Sequence, residues 1–247
     1  MDLVTQPLEI MKALSRSAWD SFIKCRRCFY IERKLGIRSI STPGFPMNSR
    51  VDSLLKNEFD FYRKKQIPHP VFEKYNLNFI ALKMDEQKLK DFRNNRKGVR
   101  AKSIKTNFEI FGALDDLWFN NDTKEVVVVD YKATSNKNDL DYVNSDKSYH
   151  KGYLRQLDFY AYLLKLNKYK VYKKGYWILC NAGRSDQKVF EGKLDFTINL
   201  ISYDLKTDYI EDTLVELEKC YNSEKIPPLN QYCDTCRWQK ETSRFYG

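Results

Sequence analysis

The sequence predicts a mixed α/β domain, a central mixed sheet flanked by helices. Apolar residues recur at helical spacing from residue 14 to 65 and again from 152 to 166. Between 106 and 134 the pattern changes to runs rich in β-branched and aromatic residues, which is strand chemistry. The polar "NDTK" (121–124) between two such runs reads as a hairpin turn.

Ser15 and Ser17 open an apolar stripe of Leu14, Ala18, Phe22, Cys25 and Phe29, and Gly36 reads as a stop, predicting one helix over 15–35. After a turn at "STPGFP", Val51, Leu54, Leu55, Phe59 and Tyr62 predict a second helix over 47–65. Prolines 68 and 70 break the next stretch, which holds a short helix over 85–95 and a basic loop. Three strands follow: "TNFEIFGALDDLWF" (106–119), "KEVVVVDYKAT" (124–134) and "YKKGYWILCNA" (172–182). Before the last comes a helix over 152–166, carried by Leu154, Leu157, Ala161 and Leu164. "DFTINLISY" (195–203) is a further strand, 207–222 a helix, and the tail from 226 reads as irregular.

A length of 247 residues suits one domain in three parts. These are a helical part with a basic segment (14–100), a core (105–205), and a C-terminal helix with a cysteine tail (207–247). No apolar run reaches the ~20 residues of a membrane span, and the N-terminus lacks a signal-peptide pattern, so a soluble, cytoplasmic protein with no membrane partner is expected. Lys and Arg number 43 against 33 acids, a net charge of +10, which favours a polyanionic partner. Residues 88–105 concentrate eight basic residues against one acid. Arg93, Arg96, Lys97, Arg100 and Lys102 are the candidate phosphate contacts, with Phe92 available for stacking. A solvated helix-loop face explains the run equally well.

The valine strand ends on Asp130 and Lys132, and period-2 geometry puts both on the face of Val126 and Val128. Charges leaving an apolar surface are paired or bind something. A buried ion pair is one reading. The other is a metal ligand beside a catalytic lysine. In "FGALDDLWF", Asp115 shares a face with Phe111, Ala113, Leu117 and Phe119. Closing the hairpin through "NDTK" brings Asp115 and Asp130 to neighbouring positions, and two converging carboxylates suit a hard divalent cation.

"GALD…VVDYKA" resembles the signature of the PD-(D/E)XK nuclease superfamily, in its RecB-like branch. "YLRQLDFYAYLL" is similar to that family's Q-x-x-x-Y helix, and "LSRSAWDSFIKCRRCFY" to its opening segment. The resemblance implies a restriction-endonuclease-like core. It implies a metal-dependent deoxyribonuclease in which Asp115 and Asp130 hold Mg2+ or Mn2+ and an activated water attacks the phosphate. Lys132 would assist, the Tyr131 carbonyl would be a further ligand, and Gln156 and Tyr160 would support metal, water or strand. The family's second helix often offers a metal-binding His; the matching place here holds Asp52, also an oxygen ligand. His69 and His150 read as solvated. The alternative is a catalytically inactive nucleic-acid-binding or assembly module with the same fold, within a DNA-processing complex of protein partners.

Six cysteines include two C-x2-C pairs, Cys25/Cys28 and Cys233/Cys236. Their shared spacing is that of a tetrathiolate site. The layout resembles the iron–sulfur CRISPR-associated and AddB-type exonucleases, where such cysteines pin the tail to the first helix. A 4Fe–4S cluster or Zn2+ is therefore expected, against four reduced thiols. A redox or metal sensor built on these cysteines would leave Asp115, Asp130 and Lys132 unexplained. Cys180 and Cys220 read as small core residues.

Overall fold

The computed structural model describes residues 13–38, 44–135, 148–182, 189 and 191–245. The turn read at 41–46 lies partly outside them. In chain order the elements are β1 (Ala13–Ser15), α1 (Arg16–Lys24), α2 (Arg26–Arg33), α3 (Pro46–Lys65), α4 (Pro70–Lys74), β2 (Phe79–Ala81), α5 (Glu86–Arg93), β3 (Val99–Lys102), β4 (Glu109–Gly112), β5 (Asp116–Asn120), β6 (Glu125–Thr134), α6 (Ser148–Leu166), β7 (Lys174–Ala182), β8 (Phe196–Asp204), α7 (Ile210–Asn222) and α8 (Asp234–Thr242). The described chain packs as two compact units, one of residues 13–38, 101–111 and 208–245, the other of residues between 44 and 100 and between 112 and 207. The first unit gathers pieces of all three consecutive parts expected from sequence.

In the second unit a five-stranded sheet runs in the order β2-β5-β6-β7-β8. β5 and β6 form the expected hairpin through residues 121–124. β6 and β7 are parallel, with α6 as the crossover between them, and the other neighbours are antiparallel. One face is an aromatic core. Trp118, Val127, Val129, Tyr131 and Tyr176 point into it, and α3 covers it with Leu55 and Phe59. The Phe59 ring stacks on Trp118 at 5.3 Å, and Phe72 meets Trp118 edge-on at 4.7 Å. Each such buried side chain contributes roughly 1.5–3 kcal/mol, which anchors the valine strand on a rigid floor. On α6, Leu157 comes so close to β7 that a Cβ at Gly175 would stand 3.1 Å from its Cδ1.

The strand expected over 106–119 is two strands in different sheets: β4 lies in a three-stranded sheet of order β1-β4-β3, β5 in the five-stranded one. The chain breaks at residues 113–115, just after Gly112. Gly98, at φ +61°, presses so close there that a Cβ on it would meet the Gly112 carbonyl oxygen at 2.5 Å. Asp115 therefore sits in the break and does not alternate with Phe111 and Ala113.

In the first unit, Ser15 caps α1 through Ala18 N–H, as its position predicts. The helix expected over 15–35 is broken at Cys25, which is extended at φ −161° and starts α2. Trp19, Phe22 and Phe29 fill the unit's core, with Trp19 6.0 Å from Tyr209. Buried Glu211 accepts hydrogen bonds from Ser103 Oγ and from the N–H groups of Ile104 and Lys105, which satisfies a loop that lacks ladder partners. The tail expected to be irregular forms α8. Among the described residues no helix is long and apolar enough to cross a membrane.

Candidate functional site

The β5–β6 register pairs Asp116 with Val129, so one step further Asp115 faces Asp130. Tyr131 N–H donates to Asp115 Oδ2 at 2.9 Å, locking that carboxylate across the hairpin end. Asp130 is fully buried; its Oδ2 is ion-paired with the Lys132 ammonium and its Oδ1 receives no hydrogen bond. The Lys132 ammonium lies within ion-pair range of Asp130 Oδ2 without meeting hydrogen-bond geometry. Lys132 Nζ also donates to Gln156 Oε1 at 3.3 Å, and Gln156 Nε2 donates to the Tyr160 hydroxyl at 2.9 Å. Gln156 and Tyr160 are one helical turn apart on α6, so the crossover helix presents both to the strand end. Asp52 stands in α3; its Oδ2 is 2.7 Å from Lys56 Nζ, which is in turn 3.2 Å from Asp115 Oδ1.

The protonation states follow from these contacts. Burial pushes Asp130 up, the Lys132 charge opposes it and the Asp115 charge adds to it, leaving the carboxyl at about 7. Burial also acts on Asp115, but Lys56, Lys132 and the Tyr131 N–H outweigh it and hold this carboxyl below its usual range. Lys132 is raised: burial disfavours its charge, and Asp130 and Asp115 more than restore it. It is an ammonium donor and not a base. Asp52 is raised by burial and by Asp115, against the pull of Lys56.

The donor set fits a divalent cation. A buried carboxylate with one oxygen lacking a hydrogen bond, opposite a second carboxylate, is an arrangement that a hard ion satisfies. Asp115 keeps 22 % of its side chain open to solvent, which leaves the site an entrance.

In the first unit the four paired cysteines converge. Cys25 Sγ lies 3.5 Å from Cys236 Sγ, and Cys28 Sγ lies 3.6 Å from Cys233 and 3.9 Å from Cys236. All four sulfurs fall within 4.8 Å of one another, and they are the one such cluster of His, Cys, Asp and Glu among the described residues. Cys25 and Cys236 are buried. Burial raises Cys25 and Cys28; Cys233 is also pushed up by burial, but the Cys236 N–H and the neighbouring thiols outweigh it and bring it below its usual value. Such a pocket suits a thiophilic metal centre. Around it, Arg27 Nη1 donates to the Pro227 carbonyl at 2.9 Å and Tyr30 OH to the Ser223 carbonyl at 2.9 Å.

A family-level comparison matches residues 13–240 to the PD-(D/E)XK nuclease superfamily. The chain belongs to that superfamily. A search of curated proteins returned no match. Members of the superfamily are generally nucleases that use divalent metals, so the match implies a nucleic-acid substrate and a nuclease-type, metal-dependent phosphodiesterase. Its fold is that of the five-stranded sheet with helices on its faces.

Against this PD-(D/E)XK frame, sequence reasoning missed three groups. Lys56 carried no signal beyond its i,i+4 spacing from Asp52. Tyr153 places its ring 4.6 Å from Lys132 Nζ, a cation–π contact one turn before Gln156. His150 is buried and lies 6.0 Å from Tyr153, so its reading as a solvated loop residue is corrected. His69 is corrected likewise: it is buried, stacks on Phe59 at 4.3 Å, and its Nδ1 caps α4 at Val71 N–H. Arg93 also departs from expectation. It turns inward, donating to the Asp115 carbonyl at 2.9 Å and to Asp60 at 2.7 Å, and ion-pairing with buried Asp116. Arg63 ion-pairs with the same Asp116, whose other oxygen accepts from Tyr131 OH at 2.7 Å. Arg93 is therefore a strut beneath the site and not a surface phosphate contact. Arg96, Lys97 and Lys102 are exposed and Arg100 half-buried; Lys97 pairs with Asp91 at 2.8 Å.

Proposed function

We propose that this chain is an Mg2+- or Mn2+-dependent deoxyribonuclease acting at Asp115, Asp130 and Lys132. The observation that carries the reading is the fully buried Asp130 carboxylate, with Oδ1 lacking a hydrogen bond and Oδ2 ion-paired with the Lys132 ammonium, set opposite Asp115. Asp115, Asp130 and the Tyr131 carbonyl would hold the ion, with Asp52 at the rim paired to Lys56. When bound, the ion supplies Lewis acidity to the phosphate and lowers the pKa of a water. Lys132, held by Asp130, Gln156 and the Tyr153 ring, directs its positive N–H groups at the charge that develops on the phosphate. Tyr160 fixes the Gln156 amide, and so the height of Lys132 above the strand. The exposed Arg96, Lys97 and Lys102 and the half-buried Arg100 would hold the phosphate backbone, an electrostatic contact that reads no sequence. The RecB-like layout of the motifs supports DNA as the substrate.

The cysteines we assign to a single zinc ion. A tetrahedral ion with Zn–S bonds of about 2.3 Å holds its sulfurs about 3.8 Å apart, close to the separations in the cluster. An iron–sulfur cubane spreads its four thiolates over separate irons and needs them farther apart. Elemental analysis decides: one zinc per colourless chain supports the assignment, and a brown protein with iron and sulfide replaces it with the cluster.

Labelled single- and double-stranded DNA, incubated with Mg2+ or Mn2+, tests the nuclease reading. Wild-type protein should cleave and Lys132→Ala should not, with both folded by circular dichroism. A wild type inert with both ions and both substrates would leave the non-catalytic binding module in its place.

A further inference from the structure

The carboxylate site already contains a cation. Lys56 projects from the middle of α3, and its Nζ lies 2.7 Å from Asp52 Oδ2 and 3.2 Å from Asp115 Oδ1. Its side chain is 21 % exposed. Burial disfavours its charge, and the two acids, Asp115 first, hold the ammonium in place. Asp115 thereby has a partner on each oxygen, Lys56 on Oδ1 and Tyr131 N–H on Oδ2. Asp130 differs, with Oδ2 paired to Lys132 and Oδ1 buried without a hydrogen bond. A divalent ion shared by the two acids therefore meets a positive charge at Asp115, and the group standing at its reachable oxygen is Lys56. The Tyr131 N–H on the other oxygen belongs to the hairpin backbone and cannot leave.

We propose that Lys56 is a tethered counter-cation, which occupies Asp115 when no divalent ion is bound and falls back onto Asp52 when one binds. The proposal rests on the metal-dependent reading above. The contact lengths favour the direction of retreat, since the ammonium is already closer to Asp52. Leaving Asp115 therefore does not leave it unpaired, which a half-buried charge requires. The device offsets one of the two negative charges of Asp52 and Asp115 in the metal-free protein. It also sets a threshold on ion affinity, because every ion bound displaces one positive charge and then sits near it. On this account Asp52 acts chiefly as the anchor of the lysine.

Calorimetric titration of Mn2+ into the full chain, with its cysteine site intact, tests this without any reading of cleavage. Lys56→Met should bind Mn2+ about tenfold tighter than wild type, equivalent to ~1.4 kcal/mol, and its melting temperature should rise more on Mn2+ addition. Lys56→Arg keeps the charge and should bind no tighter than wild type. In the Lys56→Met background, a further Asp52→Asn should leave the affinity within about twofold of Lys56→Met, whereas a ligating Asp52 would show a loss there. Equal or weaker binding by Lys56→Met, or tighter binding by Lys56→Arg, overturns the proposal while leaving the metal-dependent reading standing. Absence of Mn2+ binding in wild type and in Lys56→Met overturns both.

Discussion

The carboxylate site and the cysteine site are built in opposite ways. Asp130 and Lys132 lie on β6, paired on one side with β5 and on the other with β7, over a floor of Trp118, Phe59 and Val129. Backbone ladders and an aromatic core hold those groups whether or not an ion is present. Cys25 sits in the extended break between α1 and α2, and Cys233 precedes α8, a helix whose one buried residue is Cys236. That helix has almost no apolar surface of its own to bury, so its place depends on the sulfurs. In one site the fold positions the ligands; in the other a bound ion would supply folding free energy. The difference teaches which substitutions should alter chemistry and which should alter structure.

The sharpest separation comes from Asp130→Asn. DNA cleavage should fall at least about a hundredfold, the scale seen when one preorganised electrostatic group is removed, while the melting temperature of the metal-free protein is kept or rises. A variant that unfolds would show that Asp130 is structural. Cys233→Ser should behave conversely: the ion is lost, and limited proteolysis cuts between Ser223 and Cys233, a segment that wild type protects. Equal protection of both proteins would break the comparison, because hydrogen bonds such as Arg27 to Pro227 would then hold the tail alone.

A smaller effect should distinguish two neighbouring arginines. Arg93→Ala leaves Asp116 buried beside Arg63 with one partner fewer and should destabilise by ~3–5 kcal/mol in denaturant titration. Arg96→Ala should leave stability within ~0.5 kcal/mol and instead lower the salt dependence of DNA binding by about one unit of slope. Identical stability losses would mean that Arg93 is no strut.

The pH dependence of the metal-free protein should also follow from Asp130. Its folded pKa, about 7, is raised above the unfolded value, so its stabilising contribution is full below about 4 and is lost as pH rises towards and through 7. Asp115, lowered, acts in the opposite sense and only below the usual carboxylate range. Thermal melting in chelator from pH 5 to 8 should show a decline that Asp130→Asn removes; an unchanged decline in the variant would assign it elsewhere.

How far the sequence reveals this follows from what each signal measures. The hairpin was legible because a turn and a period-2 run determine which residues face each other, and that alone placed Asp115 against Asp130. Gln156 and Tyr160 were legible through the resemblance of "YLRQLDFYAYLL" to the family's Q-x-x-x-Y helix, whose i,i+4 spacing keeps both on one face. The break at Cys25 was not, since Leu14, Ala18 and Phe22 continue smoothly into Phe29 by spacing. The extended backbone at Cys25 satisfies its N–H locally, on the Ser21 carbonyl at 2.9 Å. Nor was the break at residues 113–115, beside which the distant Gly98 packs against the Gly112 carbonyl. Arg93 was grouped with its basic neighbours because a charge run carries no information on burial. Lys56 was one lysine among many on helices, and its contact with Asp115 is tertiary.

Native mass spectrometry with Mn2+ tests the central claim of two separate metal chemistries most directly. Wild type should carry one tightly held ion and one exchangeable Mn2+. Cys233→Ser should lose the first and keep the second, and Asp130→Asn the reverse. A single substitution that abolishes both, or a wild-type chain carrying neither, would contradict the account.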